Sequence, residues 1–453
     1  MEHNIWYQGT EGTGGGPPAG ASPAGGVSLQ ELAEQIAAEL QNTPEDTKLQ
    51  LKKQHDQKVT KKLGLKLGYK AQLVEQAGWG VMYAPDTPQE VKDALQPLIA
   101  RRTPTGQAPR VLTYAGQSAR QFRQGEHGED FGVVDPAHLP YYFLLVGPPG
   151  GIPFAFQHDL DVAHAVGRLY FETAGEYESY VQGVEAYEDA AQVGRQRRLA
   201  IFSTAHDAAT QQSAALLADP LRTFFHGRQM AAEDDGLVTY GVTPTTGAAA
   251  THAALQALLE GAADKPALLF SASHGQRPAA GQELVAGAPV CQDLQPFAGA
   301  HVLDTSDVAG LVWFAFACHS AAVSEEDEGG PYFAYLPQRL LSRGALAFLG
   351  HVGSTWSYSY GFPGYGALTG TFESALTGML AGMRLGHAFD EFDQRYLALR
   401  NELQLKKGNT LDQYLDEEPV EEDMVHLWTA CQDTRAYILF GDPAVCLRPG
   451  AMA

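Results

Sequence analysis

Residues 311–320 read LVWFAFACHS. A run of apolar residues, long enough for one strand, stops on Cys318-His319-Ser320. The run is continuous rather than alternating, which marks a strand covered on both faces, as in the middle of a parallel sheet. Residues 267–275, ALLFSASHG, repeat the pattern and end on His274-Gly275. Two buried strands, each closing on one half of a Cys/His pair, decide how the chain is read. In open parallel sheets the working residues lie just beyond the strand C-termini, and both His274 and Cys318 are placed there.

The neighbouring sequence supports such a sheet. From about residue 110, strand-like and helix-like stretches alternate: RVLTYAG, YYFLLVG, AVGRLYF, then the amphipathic EYESYVQGVEAYEDA. RLAIFST, AATQQSAALLADPLRTFF, LVTYGV and THAALQALLEG continue the alternation up to the His274 strand. After Cys318 come a helix near YFAYLPQRLLSRG, the strand ALAFLGHVG and a helix from about 366 to 383. Strands alternating with amphipathic helices predict an α/β sandwich around a largely parallel sheet.

The first 109 residues read differently. Positions 9–26 are mostly Gly, Pro, Ala and Ser, a linker composition. Ser28 and Glu31 form a capping-box signature ahead of LQELAEQIAAEL. Residues 48–70 carry eight lysines in 23 positions, which suits a solvated helix face or a dock for an acidic partner. We therefore expect an N-terminal extension, 1–109, with a Gly/Pro-rich linker and a helical Lys-rich part.

Composition excludes several classes. The net charge is −22, which argues against general nucleic-acid or anionic-membrane binding. The N-terminus has no basic segment followed by an apolar core, so no signal peptide is expected. No stretch reads as a membrane span. The four cysteines, Cys291, Cys318, Cys431 and Cys446, lack metal-site spacing and are too few for a disulfide scaffold. A cytoplasmic protein with reduced thiols is the expectation. VGPPGG lacks the Lys and Ser/Thr of a phosphate loop. His158, His164, His351 and His387 are scattered, so no metal and no cofactor is assigned.

A thiol nucleophile needs a base or a positive neighbour to become thiolate. His274 on one strand and Cys318 on the next would face a common substrate. The N–H groups of Gly275 and Cys318 would form an oxyanion hole, and Gly275 permits close approach of its backbone. His319 would project away, and His351 is the fallback base.

At these residues the sequence resembles the caspase-like clan of cysteine peptidases. LLFSASHG is similar to that clan's His-Gly strand and FAFACHS to its Cys strand. Within the clan the likeness is to gingipain-type (C25-like) and CHAT-type peptidases. YYFLLVGPPGGIPF, residues 159–188, GALAFLGHVGSTW and YILFGDPAVCLRP resemble gingipain-type segments in the same order, over roughly 110–449. The resemblance implies two caspase-like halves, a non-catalytic 110–195 and a catalytic 196–449. It implies Cys318 as nucleophile and His274 as general acid/base, with the oxyanion held by Gly275 and Cys318. Val352, Ser354 and Trp356 would line the substrate groove. Asp159 and Asp161 are the acids the first half would offer to substrate, with a structural role as the alternative.

The sequence departs from relatives in places. Phe316 stands where metacaspases carry an acid, which argues against their basic-residue pocket. AVSEEDEGGP, after Cys318, reads as an acidic loop open to self-cleavage or to plain solvation. The expected function is an intracellular cysteine endopeptidase acting on protein substrates, restrained by an activating or inhibitory partner or by the N-terminal extension. Likeness to CHAT-type proteases extends this to a CRISPR-linked defence cascade. The alternatives are a non-catalytic scaffold on the same fold and a thiol hydrolase of small amides or esters.

Overall fold

The computed structural model describes residues 5–6, 9–11, 26–27, 64–129, 133–234, 240–260, 265–277, 283–304, 306–323, 331–363, 365–414 and 422–453. The capping-box helix, the Lys-rich stretch up to 63 and most of the acidic loop after Cys318 lie outside the described residues.

A ten-stranded sheet forms the centre. Its strands are β1 (Trp79–Tyr83), β2 (Arg110–Thr113), β3 (Tyr142–Val146), β4 (Ala165–Leu169) and β5 (Gln196–Ser203). They continue with β6 (Gly241–Thr246), β7 (Pro266–Ala272), β8 (Val312–Phe316), β9 (Ala347–His351) and β10 (Tyr437–Gly441). The spatial order is β6-β5-β7-β8-β9-β10-β4-β3-β1-β2. Neighbours pair parallel throughout, except β9 with β10, which pair antiparallel. The sheet is thus two parallel blocks running in opposite directions, joined at one seam.

Burial explains the composition of the strands. Every residue of β7, β8 and β9 is buried, as continuous apolar runs require. The indole of Trp313 donates to the Ser271 hydroxyl at 2.8 Å, so the largest side chain of β8 is satisfied from β7. One apolar cluster takes in residues of both blocks, from Trp79 and Leu144 to Trp313 and Phe440. The two halves share a core.

The fold agrees with the expected α/β class and differs in detail. Residues 79–83, read as part of the extension, form a strand inside the sheet, and helices Gln89–Ala94 and Gln96–Arg102 follow it. WGVMY is only five residues long and carries a glycine, so it gives little periodic signal. The last strand, β10, runs parallel to β4 and belongs with the first block, although it lies within 196–449. β6 spans Gly241–Thr246, while residues 237–239 of the expected strand lie outside the described residues; it contains Pro244 and is an edge strand, where a missing N–H is tolerated. The helix expected over 366–383 spans Gly370–Leu380.

Asp442 locks the returning C-terminus to the first block. Its carboxylate accepts the Trp79 indole N–H at 2.9 Å, the Arg102 Nε at 2.7 Å and the Ala444 amide at 3.0 Å. The Asp442 amide donates to the Tyr180 hydroxyl at 2.7 Å. This buried carboxylate is fully hydrogen-bonded, the condition under which a buried charge is tolerated.

Candidate active site

β7 and β8 pair in register, with Ala272 opposite Phe316. The Ser273 amide donates to the Phe316 carbonyl at 3.2 Å, carrying the ladder one step further. His274 and Cys318 are each two residues beyond that last pair, so the two chain ends deliver them side by side. The contact is tight. A β-carbon placed on Gly275 would sit 1.8 Å from the Cys318 carbonyl oxygen and 2.9 Å from its amide nitrogen. Only glycine fits there, and the Gly275 and Cys318 backbones meet directly.

Cys318 is fully buried. Its Sγ accepts the Thr355 amide at 3.1 Å, and its thiol donates to the Thr355 carbonyl at 3.8 Å. Thr355 lies between the expected groove residues Ser354 and Trp356, and its role was not anticipated. His319 follows with φ 55°, a left-handed backbone that is costly for a non-glycine residue. Its amide donates to the Gly353 carbonyl at 2.7 Å, so the turn after Cys318 is pinned to the loop after β9.

His274 is nearly buried, and its Nε2 meets Asp207 Oδ2 at 2.5 Å. Asp207 comes from the next strand over. β5 ends at Ser203 beside Ala272, and the chain then turns through Ala205 and His206. The Ala205 amide donates to Gln292 Oε1 at 2.7 Å, which fixes the turn. Asp207 caps the helix Ala208–Ser213, its Oδ1 accepting the Thr210 amide at 2.9 Å and the Thr210 hydroxyl at 2.7 Å. One carboxylate oxygen is therefore spent on the cap and the other is aimed at His274. Burial alone would raise the Asp207 carboxyl, but the His274 contact, with help from Thr210, outweighs it and holds the acid well below the usual carboxylate range. Among the described residues, the Nδ1 atoms of His274 and His206 have no hydrogen-bond partner. With Nε2 anchored on Asp207, Nδ1 is the ring atom of His274 left for other chemistry.

The remaining expected residues separate. Val352 is buried and bridges Ala322, and Ser354 is half-buried. The Trp356 amide is held by Asp433 Oδ1 at 2.9 Å. All three lie in the loop that carries Thr355, next to Cys318. His351 is engaged at both ring nitrogens, with Gly353 O at 3.1 Å and Asp433 O at 3.0 Å, and serves packing rather than base chemistry. Asp159 is exposed on the helix Phe154–Asp161. Asp161 is buried and accepts the Val166 amide at 3.0 Å, and its burial pushes its carboxyl well above the normal range. That carboxylate is occupied within the first block. Cys291 is fully buried, and burial pushes its thiol up to about 12.

Asp207 was missed in the sequence. Its available signals were the cap pattern Asp207-x-x-Thr210 and its place just past the end of an apolar strand, the position that singled out His274 and Cys318.

Residues 47–448 match the model of peptidase family C25. The chain belongs to peptidase family C25. It is therefore a cysteine endopeptidase of the caspase-like clan. A solved structure described as a protease aligns over 82% of this chain and 78% of its own, with TM-score 0.53 and 13% identity, which shows a shared fold. The complex of Porphyromonas gingivalis RgpB pro- and mature domains covers 82% of this chain and 80% of its own, at 12% identity and TM-score 0.47. The Arg-specific cysteine proteinase gingipain R (RgpB) covers 83% and 79%, at 13% and 0.45. Among curated proteins no relative matches. No helix of the described residues of this C25 peptidase is long and apolar enough to cross a membrane.

Proposed function

We propose that this C25 peptidase cleaves protein substrates through a thioester on Cys318, with His274 as its proton carrier and Asp207 as the group that positions it. The observation that carries this reading is the register of β7 and β8, which sets His274-Gly275 against Cys318. Cys318 Sγ attacks the scissile carbonyl carbon. The Gly275 and Cys318 amides hold the resulting oxyanion, each such donor being worth a few kcal/mol. The C–N bond then breaks as His274 delivers a proton to the leaving amine. Water next attacks the thioester, returning the thiol and releasing the carboxylate product. Asp207 binds Nε2, which fixes the tautomer and keeps Nδ1 toward the reacting atoms. Val352, Ser354 and Trp356 flank the substrate, whose backbone runs along the loop of Thr355.

The enzyme works inside the cell and is restrained. Gly9–Glu11 lies as a parallel strand beside Gly275–Arg277, the strand that begins at His274. That placement favours restraint by the chain's own N-terminal part. A place in a CRISPR-linked bacterial defence cascade rests on the likeness to CHAT-type proteases alone, and activation by a purified defence complex is its test. The proposal as a whole is tested with a positional-scanning library of fluorogenic peptides, run on the wild type, Cys318→Ala and His274→Ala. Cleavage by the wild type alone supports it. Undiminished cleavage by either variant removes that residue from the mechanism.

A further inference from the structure

We propose that His206, Asp207 and His274 form a Zn²⁺ site whose occupancy switches the peptidase off by capturing His274. The inference rests on the reading of His274 as proton carrier but can be tested apart from it. Each of the three residues offers one ligand atom, and these atoms lie within 4.8 Å of one another. The two imidazole rings are 5.3 Å apart at an interplanar angle of 51°. Asp207 Oδ2 already touches His274 Nε2 at 2.5 Å.

The donors are prearranged. Asp207 Oδ1 is held by Thr210, which leaves Oδ2 for a metal. The turn that carries His206 is tied to Gln292 through the Ala205 amide. His206 Nδ1 is shielded from solvent yet lacks a hydrogen-bond partner among the described residues, a condition that a metal relieves by ligation or by rotation of the ring. The Asp207 side chain is 46% exposed, so the cluster has a route to solvent.

Two imidazoles and one carboxylate suit Zn²⁺, with a fourth position open to water, whereas Ca²⁺ and Mg²⁺ prefer all-oxygen sites. A proton now lies between Asp207 and His274. Zn²⁺ would replace it. With bonds of about 2.0–2.1 Å, tetrahedral ligands sit roughly 3.3 Å apart, so the pair need open by less than about 1 Å. With Zn²⁺ on Nε2, the neutral ring keeps its one proton on Nδ1 and has no lone pair there to take the thiol proton that it must pass to the leaving amine. The hydrolysis proposed above gives His206 no step, which makes it the residue that separates regulation from catalysis.

The test uses the full chain, stripped with a chelator, and Zn²⁺ itself as the probe. Binding is measured in Cys318→Ala against a chromophoric chelator, so that neither the thiol nor turnover contributes. One tight equivalent is expected, weakened at least about tenfold by adding His206→Ala or His206→Gln. In the Cys318-containing enzyme, Zn²⁺ should abolish peptide cleavage and EDTA should restore it. His206→Ala should keep basal turnover and need at least about tenfold more Zn²⁺ for half-inhibition. Equal Zn²⁺ affinity with and without His206 would overturn the proposal, as would loss of the tight equivalent in Cys318→Ala alone. If no peptide is cleaved by the wild type, the proposed function fails while the binding arm still decides the metal site.

Discussion

Gly275 and Cys318 meet backbone to backbone, so closely that a β-carbon on Gly275 would lie 1.8 Å from the Cys318 carbonyl oxygen. The strand bearing the proton carrier and the strand bearing the thiol are fitted to each other at a single glycine. Catalytic geometry and local packing are therefore coupled at this point.

Gly275→Ala should cost both activity and stability. Backbone must shift to admit the methyl group, at about 1–3 kcal/mol of overpacking, and the shift moves the oxyanion donors. Gly175→Ala is the control, since a β-carbon there meets nothing within 4 Å. Peptide turnover and urea unfolding of both variants check this. A Gly275→Ala enzyme with wild-type kcat would show that the contact does not matter.

Asp207→Asn should lower kcat by about 10²-fold or more with little change in KM, because an orienting partner acts on the reacting imidazole rather than on substrate binding. Asp207→Glu should recover part of the loss. A change confined to KM would place Asp207 in substrate binding instead.

The same contact sets an acid-side dependence of stability. The folded-state pKa of Asp207 lies below its unfolded value, so its contribution is complete above about pH 4 and fades as pH falls toward the folded value. The melting-temperature gap between wild type and Asp207→Asn should be widest near neutrality and narrow in acid. A gap that stays constant into the acid range contradicts the assignment.

Asp442→Ala should destabilise the protein by about 3–5 kcal/mol, as expected when one partner of a buried ion pair is removed. The Arg102 Nε, the Trp79 indole and the Ala444 amide all lose their acceptor, although Arg102 keeps Glu188. Asp442 follows Gly441, which pairs with Ala347 at the end of the sheet remote from His351. Denaturant unfolding should therefore report the loss while kcat of the folded enzyme stays near wild type.

Cys291→Ala should leave turnover within about twofold of wild type, because a thiol pushed up to about 12 by burial is protonated and unreactive at neutral pH. Mass spectrometry of the folded protein after alkylation should find Cys291 unmodified. Abolished activity in a folded Cys291→Ala variant would give this cysteine a role the geometry does not assign.

Much of this protein could be read locally. Continuous apolar runs in 267–272 and 311–317 specify strands buried on both faces, and the residues that end those runs became His274 and Cys318 at adjacent positions. The alternation of strands with amphipathic helices specified the α/β class. These readings succeeded because burial and periodicity are written into short segments. Trp79–Tyr83 escaped because five residues with a glycine carry too little pattern.

Other features depended on how distant segments pack. The seam between β9 and β10, which turns one parallel sheet into two opposed blocks, pairs Ala347 with Gly441 across 94 residues of sequence, and nothing in either segment states its direction. Asp207 is another case. As a residue type it is an ordinary helix cap, and only the placement of β5 beside β7 brings its second oxygen to His274. Sequence alone determined which segments become strands and which residues stand at their ends, since hydrophobic burial acts within a segment. The tertiary structure decided which of those ends meet, since strand order and direction follow from packing a shared core across the whole chain.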